Sequence, residues 1–168
     1  GAGRTLLPGL IDVHAHIGGG DGEPLWDIRL PNARAQLEAL LYSGVTTVLS
    51  PAHDADTEAL AAQLSAGVIP GPFLYRSTRM ITARGGHPVP LYWDVVPAPW
   101  PVKGLLIGTA VREVTSPEEA RAAVAGDVAA FAPEFVKLVY DSFPPCSPHV
   151  SGEVLAAAVA EAHRLGRR

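Results

Sequence analysis

The sequence predicts an α/β protein built around parallel strands. Short apolar runs typical of strands alternate four times with longer segments that have helical spacing. A strand that is followed by a crossover helix and then by another strand gives a parallel pair. The chain has 168 residues, of which 48% are hydrophobic, so it is long enough to form one domain with a buried core.

Four segments have strand character because apolar and β-branched residues dominate each of them. They are predicted at residues 10–16, 45–50, 73–78 and 135–140. Four further segments carry apolar residues at helical spacing. They are predicted at residues 30–43, 54–66, 117–131 and 151–165. The order of these elements indicates four successive βα units.

Cap residues support the helix boundaries. Ser116 and Ser151 are the predicted N-caps of the last two helices, because a serine hydroxyl can accept a hydrogen bond from the first turn. Asp54 or Asp56 is the predicted N-cap of the second helix. Glycines follow three of the helices where a C-cap is expected; they are Gly44, Gly67 and Gly166.

A long stretch rich in Pro, Gly and aromatic residues lies between the third strand and the third helix. It covers residues 79–104, contains Tyr92, Trp93 and Trp100, and is predicted to be a loop. A loop of this length in a compact domain is usually functional. Two interpretations stay open, namely a lid over a site and an excursion packed on the surface.

Composition excludes several classes of function. Thirteen Lys and Arg residues against 17 Asp and Glu give a net charge of -4 without a basic cluster, which argues against nucleic acid and anionic lipid as partners. The sequence contains no run of 18 apolar residues, so no membrane-spanning helix is predicted. The single cysteine, Cys146, excludes an internal disulfide and a multi-cysteine zinc site. The location stays open, and we favour the cytoplasm.

The first predicted strand carries two histidines. Residues two apart share a face of a strand, so Asp12, His14 and His16 are expected to point one way, while Ile11 and its alternate neighbours face the helices. Two neutral imidazoles on one face can bind the same divalent metal ion. The Asp12 carboxylate is placed to orient a ligand or to anchor the strand. A bare His-x-His spacing is a weak signal, and its position at the carboxyl end of a strand strengthens it.

Residues 7–16 read Leu-Pro-Gly-Leu-Ile-Asp-Val-His-Ala-His and resemble the signature that opens the barrel of the amidohydrolase superfamily. Further similar segments follow in order: Gly-Val-Thr-Thr-Val at 44–48, Gly-Val-Ile-Pro-Gly-Pro at 67–72, Gly-Gly-His at 85–87, Phe-Val-Lys-Leu-Val-Tyr at 135–140 and Glu-Ala-His-Arg-Leu-Gly at 161–166. The matches at 67–72 and 85–87 resemble the imidazolonepropionase-like and Xaa-Pro-dipeptidase-like branch.

The resemblance implies a (βα)8 TIM barrel of which the first four βα units are present. A complete barrel of this type needs about 250 residues. We therefore expect residues 10–168 to form a partial barrel and residues 1–9 to lead in from an N-terminal β domain outside this chain. The open edges of the first and fourth strands predict a homo-oligomer or poor solubility.

Lys137 gains a specific interpretation from the resemblance. It is one of two lysines, with Lys103, and it lies inside an apolar strand. Burial lowers a lysine pKa and favours the neutral amine, which can capture carbon dioxide. The resemblance implies one or two divalent ions, zinc being favoured, a lysine carbamate whose two oxygens bridge two metal ions, and His14 and His16 as further ligands. The alternative is a lysine whose ammonium reaches solvent from the strand end.

The function that the resemblance implies is metal-dependent hydrolysis of an amide-type C–N bond by metal-activated water. The expected substrate is a small molecule, either a dipeptide or a cyclic amide. Two rivals stay open: a deaminase of the same superfamily, against which Lys137 counts, and a catalytically incompetent half-barrel that only binds. The family also needs histidines and an aspartate from later strands, so we expect this chain alone to be inactive.

The remaining histidines are weaker candidates. The resemblance places His87 where a substrate-contacting histidine often lies, with a structural role in the loop as the alternative. His53 follows the second strand and is a candidate for substrate binding, with helix capping and solvent exposure as alternatives. We expect His149 to be solvated, and we expect His163 and Cys146 to have no chemical role.

Overall fold

The computed structural model describes residues 3–17, 33–53, 57–143 and 145–168. The described residues form five strands and six helices, and the order of the elements confirms the α/β class. The elements are β1 (Leu10–Asp12), α1 (Ala33–Tyr42), β2 (Val45–Ser50), α2 (Thr57–Ser65), β3 (Phe73–Arg76), β4 (Met80–Ala83), α3 (Val89–Val95), α4 (Val102–Ala110), β5 (Val111–Val114), α5 (Pro117–Phe131) and α6 (Gly152–Arg164).

The strands run parallel, as predicted. β1, β2 and β3 form one sheet in that order, and Ser50 of β2 aligns with Arg76 of β3. β4 continues the path of β3 after three residues and pairs with β5. The predicted fourth strand is represented by parallel bridges from Phe135 to Ser77 and from Leu138 to Ile81. Within the described residues the sheet stays open and does not close into a barrel.

Two apolar clusters hold the helices to the strands. The larger cluster joins β4 and β5 to α5 and α6 through side chains such as Ile81, Val114, Val124 and Ala158. The smaller cluster packs α3 and α4 against Met80, Val111 and Val139. Burial of these side chains is the main favourable contribution to folding of each layer.

The predicted caps are confirmed where the structure describes them. The Ser116 hydroxyl accepts a hydrogen bond from the Glu119 N–H at 3.2 Å, and Ser151 accepts from the Val154 N–H at 3.3 Å. Three glycines after helices have the positive φ that favours glycine at a C-cap; they are Gly44, Gly67 and Gly166. The N-cap predicted at Asp54 or Asp56 lies outside the described residues, as do the first residues of the helix predicted at 30–43.

The prediction of a loop over residues 79–104 is wrong. This stretch contains β4 and α3 and the start of α4, and β5 follows it directly. β4 has no polar alternation because all four of its residues are buried, so periodicity could not identify it. The prolines of this stretch suggested a loop, but Pro88 is the N-cap of α3 and Pro90 lies in its first turn, where a helix tolerates proline. The stretch is therefore a packed excursion with its own apolar cluster.

A buried ion-pair cluster fastens the excursion to α5. Asp127 is fully buried and accepts hydrogen bonds from the backbone N–H and the Nε of Arg79, both at 3.1 Å. The Nε of Arg112 on β5 lies 3.4 Å from the same carboxylate. Because a buried carboxylate needs partners, these bonds fix β4 and β5 relative to the helix. Among the described residues no helix is long and apolar enough to cross a membrane.

Candidate metal centre

His14 and His16 lie just beyond the carboxyl end of β1. The strand ends at Asp12, so the prediction of a strand over residues 10–16 is wrong beyond that residue. The Asp12 carboxylate accepts a hydrogen bond from the His14 N–H at 3.0 Å, and this local bond competes with continued strand pairing. Asp12 thus anchors the bend that presents the two histidines.

Ile11 does not pack under the helices. It aligns with Thr47 of β2, is 63% exposed and lines a cavity of about 850 Å³ together with Leu49, Phe73 and Tyr75. The expectation that Ile11 faces the helices is therefore wrong.

The two imidazoles are adjacent, with ring centroids 5.4 Å apart and ring planes inclined by 53°. Two imidazoles on one tetrahedral zinc ion, at Zn–N distances near 2.0 Å, would have centroids about 5 Å apart. The observed separation fits that requirement. Burial, followed by the nearby charges of His14 and Lys137, lowers the pKa of His16 and favours the neutral form that binds metal.

Lys137 lies on the bridged segment opposite β4. Its N–H donates to the Thr78 hydroxyl at 3.0 Å, and its carbonyl accepts from the Ile81 N–H at 3.0 Å. The side chain is half-buried, and burial lowers its pKa, while the charge of Asp141 acts in the opposite direction. The positive charge of Lys137 is also one of the causes that lower the pKa of His16.

The donor set in this chain is incomplete by itself. Among the described residues no group of three or more His, Cys, Asp and Glu side chains is placed to hold a metal ion. Two imidazoles and a lysine amine are therefore the groups that this part of the chain offers. They fit a divalent ion such as zinc if the lysine gains oxygen donors.

His87 follows β4, at the same end of the sheet. Its ring meets Phe143 edge-on at 5.7 Å, and its buried Nδ1 has no hydrogen-bond partner among the described residues. Gly86 beside it is confined, because a Cβ there would lie 2.6 Å from the carbonyl oxygen of Pro148. The loops that follow β4 and the bridged segment are therefore packed together around His87.

His53 lies on the helix side of the sheet. It is 3% exposed, its ring packs on Phe131 at 4.1 Å, and its Nδ1 lies 3.9 Å from a carboxylate oxygen of Glu58. The interpretation of His53 as a solvent-exposed residue is therefore wrong. These two contacts connect His53 to α5 and α2.

The other two histidines and the cysteine are exposed. His149 contacts the ring of Tyr140 edge-on, and its Nδ1 lies 3.2 Å from the Ser142 hydroxyl. His163 lies near the end of α6, and Cys146 is exposed with a free thiol.

Sequence reasoning missed an ion-pair cluster at the end of β3. Arg76 donates to Glu134 from its backbone N–H at 2.6 Å and from Nη2 at 2.9 Å, and its Nη1 donates to Glu58 at 2.6 Å. Burial would raise the pKa of Glu134, but the hydrogen bonds and charge of Arg76 hold it below its usual value. The only sequence signal was an arginine that ends one apolar strand and a glutamate that precedes the next.

Comparison with known proteins supports the resemblance. The chain is similar to an enamidase from Eubacterium barkeri, with 37% identity over 73 residues, which cover 38% of this chain and 18% of the enamidase. Its fold is similar to that of a prolidase complexed with N-methylphosphonate-L-proline, with a TM-score of 0.74 and 22% identity over 98% of this chain. A Xaa-Pro dipeptidase with methionine in its active site gives a TM-score of 0.69 and 23% identity over 95% of this chain.

The chain spans 42% of the prolidase and 41% of the dipeptidase, less than half the length of either structure. The model of the amidohydrolase family matches residues 5–168, which is nearly the whole of the chain. A prolidase and a Xaa-Pro dipeptidase share its fold, and the family match shows that the chain belongs to the amidohydrolase family.

Proposed function

We propose that this chain supplies part of the metal centre of a hydrolase that cleaves an amide-type C–N bond in a small molecule. The observation that carries the proposal is the contact between the His14 and His16 rings beyond the carboxyl end of β1. The charge of Lys137, which also acts on the pKa of His16, supports it. Membership of a family that generally binds divalent metal ions supports it, as do the hydrolases among the relatives. The dipeptidase-like neighbours favour a dipeptide substrate, and a cyclic amide is the second candidate.

The backbone beside the two histidines is held by a local hydrogen bond, from the His14 N–H to the Asp12 carboxylate. Burial lowers the pKa of His16 and favours its neutral imidazole, which can offer a nitrogen lone pair to a metal ion. Asp12 therefore acts on the centre through the backbone of His14.

Lys137 supplies the oxygen donors after a covalent step. Its neutral amine attacks carbon dioxide, so an N–C bond forms as one C=O π bond opens, and the nitrogen releases one proton to solvent water; the product is a carbamate with two oxygens. Arginine cannot replace it because the guanidinium stays protonated. One or two divalent ions, for which zinc is favoured, would lower the pKa of a bound water and polarise the substrate carbonyl.

His87 is proposed to contact the substrate. Its unpartnered Nδ1 can donate or accept a hydrogen bond, and the packing of Gly86 holds the ring in place. His53 is proposed to support the carboxyl end of β2 from the helix side, because it packs on Phe131 and beside Glu58. Ligands and a proton-transfer group beyond these residues would come from the remainder of a longer protein.

Two other functions compete with this proposal. A deaminase of the same family would release ammonia. A half-barrel that only binds a ligand would have no catalytic activity. The decisive experiment measures a full-length protein carrying these residues on panels of dipeptides, cyclic amides and amino-substituted heterocycles. We expect amino acid release from dipeptides, with loss of activity in His16→Asn and retention in His163→Asn. Ammonia release without amide cleavage, or no turnover by a metal-loaded protein, would contradict the proposal.

A further inference from the structure

The strand pairing beside Lys137 is irregular. Two parallel bridges flank this residue, one from Ser77 to Phe135 and one from Ile81 to Leu138. Between the bridges, three residues of one strand stand opposite two residues of the other. One extra residue on one of two paired strands is a β-bulge, and bulges often lie beside functional sites. This bulge lies directly opposite the lysine that is proposed as a metal ligand.

At the bulge a side-chain bond replaces one bond of the regular ladder. Before the bulge the pattern is regular, because the Phe135 N–H donates to the Arg76 carbonyl at 3.3 Å and the Thr78 N–H donates to the Phe135 carbonyl at 3.1 Å. If the ladder continued, the Lys137 N–H would donate to the Thr78 carbonyl. It donates instead to the Thr78 hydroxyl at 3.0 Å. The hydroxyl therefore replaces the carbonyl as the acceptor for Lys137.

The backbone groups that leave the ladder at the bulge have partners of their own. The Thr78 carbonyl accepts a hydrogen bond from the Ser77 hydroxyl at 2.9 Å, and the Arg79 N–H donates to the Asp127 carboxylate at 3.1 Å. Ser77, Thr78 and Asp127 are fully buried. Because an unpaired polar group in the interior costs free energy, these bonds stabilise the bulge relative to a regular ladder.

We propose that Thr78 is a positioning residue for Lys137, an inference that rests on the proposed function. The Thr78 hydroxyl holds the Lys137 N–H and so fixes the point at which the flexible lysine side chain leaves the strand. The branch at the threonine Cβ restricts χ1, so the acceptor oxygen stays in one place. Asp12 holds the His14 N–H at 3.0 Å in the same manner. A side-chain oxygen thus fixes the backbone at both parts of the proposed ligand set.

The first experiment tests the hydrogen bond in the metal-free, full-length protein. Amide hydrogen exchange is measured at Lys137 and, as an internal reference, at Val139, whose N–H donates to the Ile81 carbonyl. In Thr78→Val the exchange rate of Lys137 relative to Val139 should rise roughly ten-fold, which corresponds to the loss of one hydrogen bond. Thr78→Ser keeps the acceptor and should leave this ratio close to that of the wild type. An unchanged ratio in Thr78→Val would overturn the proposal.

The second experiment measures the zinc dissociation constant of the full-length protein with bicarbonate present. Loss of a group that orients a metal ligand typically weakens metal binding by about 10–100-fold, and we expect a rise of this size in Thr78→Val. Thr78→Ser should recover most of the affinity. Leu37→Ala is the control for lost stability, because Leu37 is fully buried on α1, and it should bind zinc like the wild type while it is folded.

Lys137→Arg separates this inference from the proposed function. If Lys137→Arg loses zinc while Thr78→Val binds it as tightly as the wild type, the role of Thr78 is overturned and the proposed function stands. If Lys137→Arg keeps its zinc affinity, the proposed function fails and this inference fails with it. Equal losses in Thr78→Val and Leu37→Ala would reduce Thr78 to a structural residue and would also overturn the proposal. Should Thr78→Val not fold, Thr78→Cys takes its place, because sulfur is a weak acceptor.

Discussion

Replacing Asp127 with alanine should destabilise the fold strongly. Asp127 is fully buried on α5 and holds the guanidinium and the backbone N–H of Arg79, with Arg112 at its edge. Asp127→Ala removes the negative partner and leaves a positive charge and a backbone donor unpaired. The side chain of Arg79 is 14% exposed, so water can compensate only a small part of the loss.

The magnitude follows from these contacts. Breaking a buried ion pair by removing one partner costs about 3–5 kcal/mol, and we expect the lower end because Arg79 and Arg112 keep some access to solvent. The free energy of unfolding should therefore fall by about 3 kcal/mol in Asp127→Ala, and Tm should fall by roughly 9 °C for a domain of this size. Asp127→Asn keeps one acceptor oxygen and should lose about half as much.

The assay is urea unfolding followed by circular dichroism, with thermal unfolding as a second measurement. Asp94→Ala is the control, because Asp94 is exposed on α3, and its free energy of unfolding should stay within about 0.5 kcal/mol of the wild type. If Asp127→Ala were as stable as the control, the inference that this carboxylate fastens the excursion to α5 would be wrong.

Two further stability predictions follow from the ion pairs and the close contacts. Because Arg76 holds the pKa of Glu134 below its usual 4.5, the ionised pair stabilises the fold above that pH and is lost as the pH falls through the lowered value. The stability advantage of the wild type over Glu134→Gln should therefore be full at pH 7 and shrink well below pH 4.5, and urea titrations that show a constant difference would contradict it. Gly86→Ala should lower Tm, because its Cβ would lie 2.6 Å from a backbone carbonyl oxygen. Gly126→Ala in α5 has open space around the new Cβ and should raise the free energy of unfolding by up to about 1 kcal/mol. If thermal unfolding showed Tm shifts of the same sign for both variants, this reasoning would be refuted.

Local signals in the sequence were sufficient to predict much of the fold. The serine caps before α5 and α6 and the glycines after three helices depend on neighbouring residues alone, and the structure confirms them. The parallel order of the strands follows from the alternation of elements. The sequence does not reveal β4, because β4 pairs with β5 and the bridged segment and all four of its residues are buried. A strand that is buried on both faces has no need of alternating apolar and polar residues, so it lacks the period-two pattern.

The candidate site was predictable to the extent that it depends on residue type. His14, His16 and Lys137 are distinctive in the sequence as two imidazoles at the end of a strand and a rare lysine in an apolar setting. The structure confirms that the rings of His14 and His16 are adjacent. The turn at Asp12 was not predictable, because an aspartate within an apolar run is compatible with both a strand and a bend. The pairing of Arg76 with Glu134 depends on which strands become neighbours, which no local pattern encodes.

The central proposal is that Lys137 is a metal ligand together with the two histidines. The most direct test is the metal content of a full-length protein, determined by elemental analysis after purification with bicarbonate present, for the wild type, Lys137→Arg and Lys103→Arg. Lys103 is the matched control because it is the other lysine, and its ammonium bonds to a backbone carbonyl of α3. We expect one or two zinc ions in the wild type and in Lys103→Arg and a large loss in Lys137→Arg. Equal metal content in all three proteins would contradict the claim.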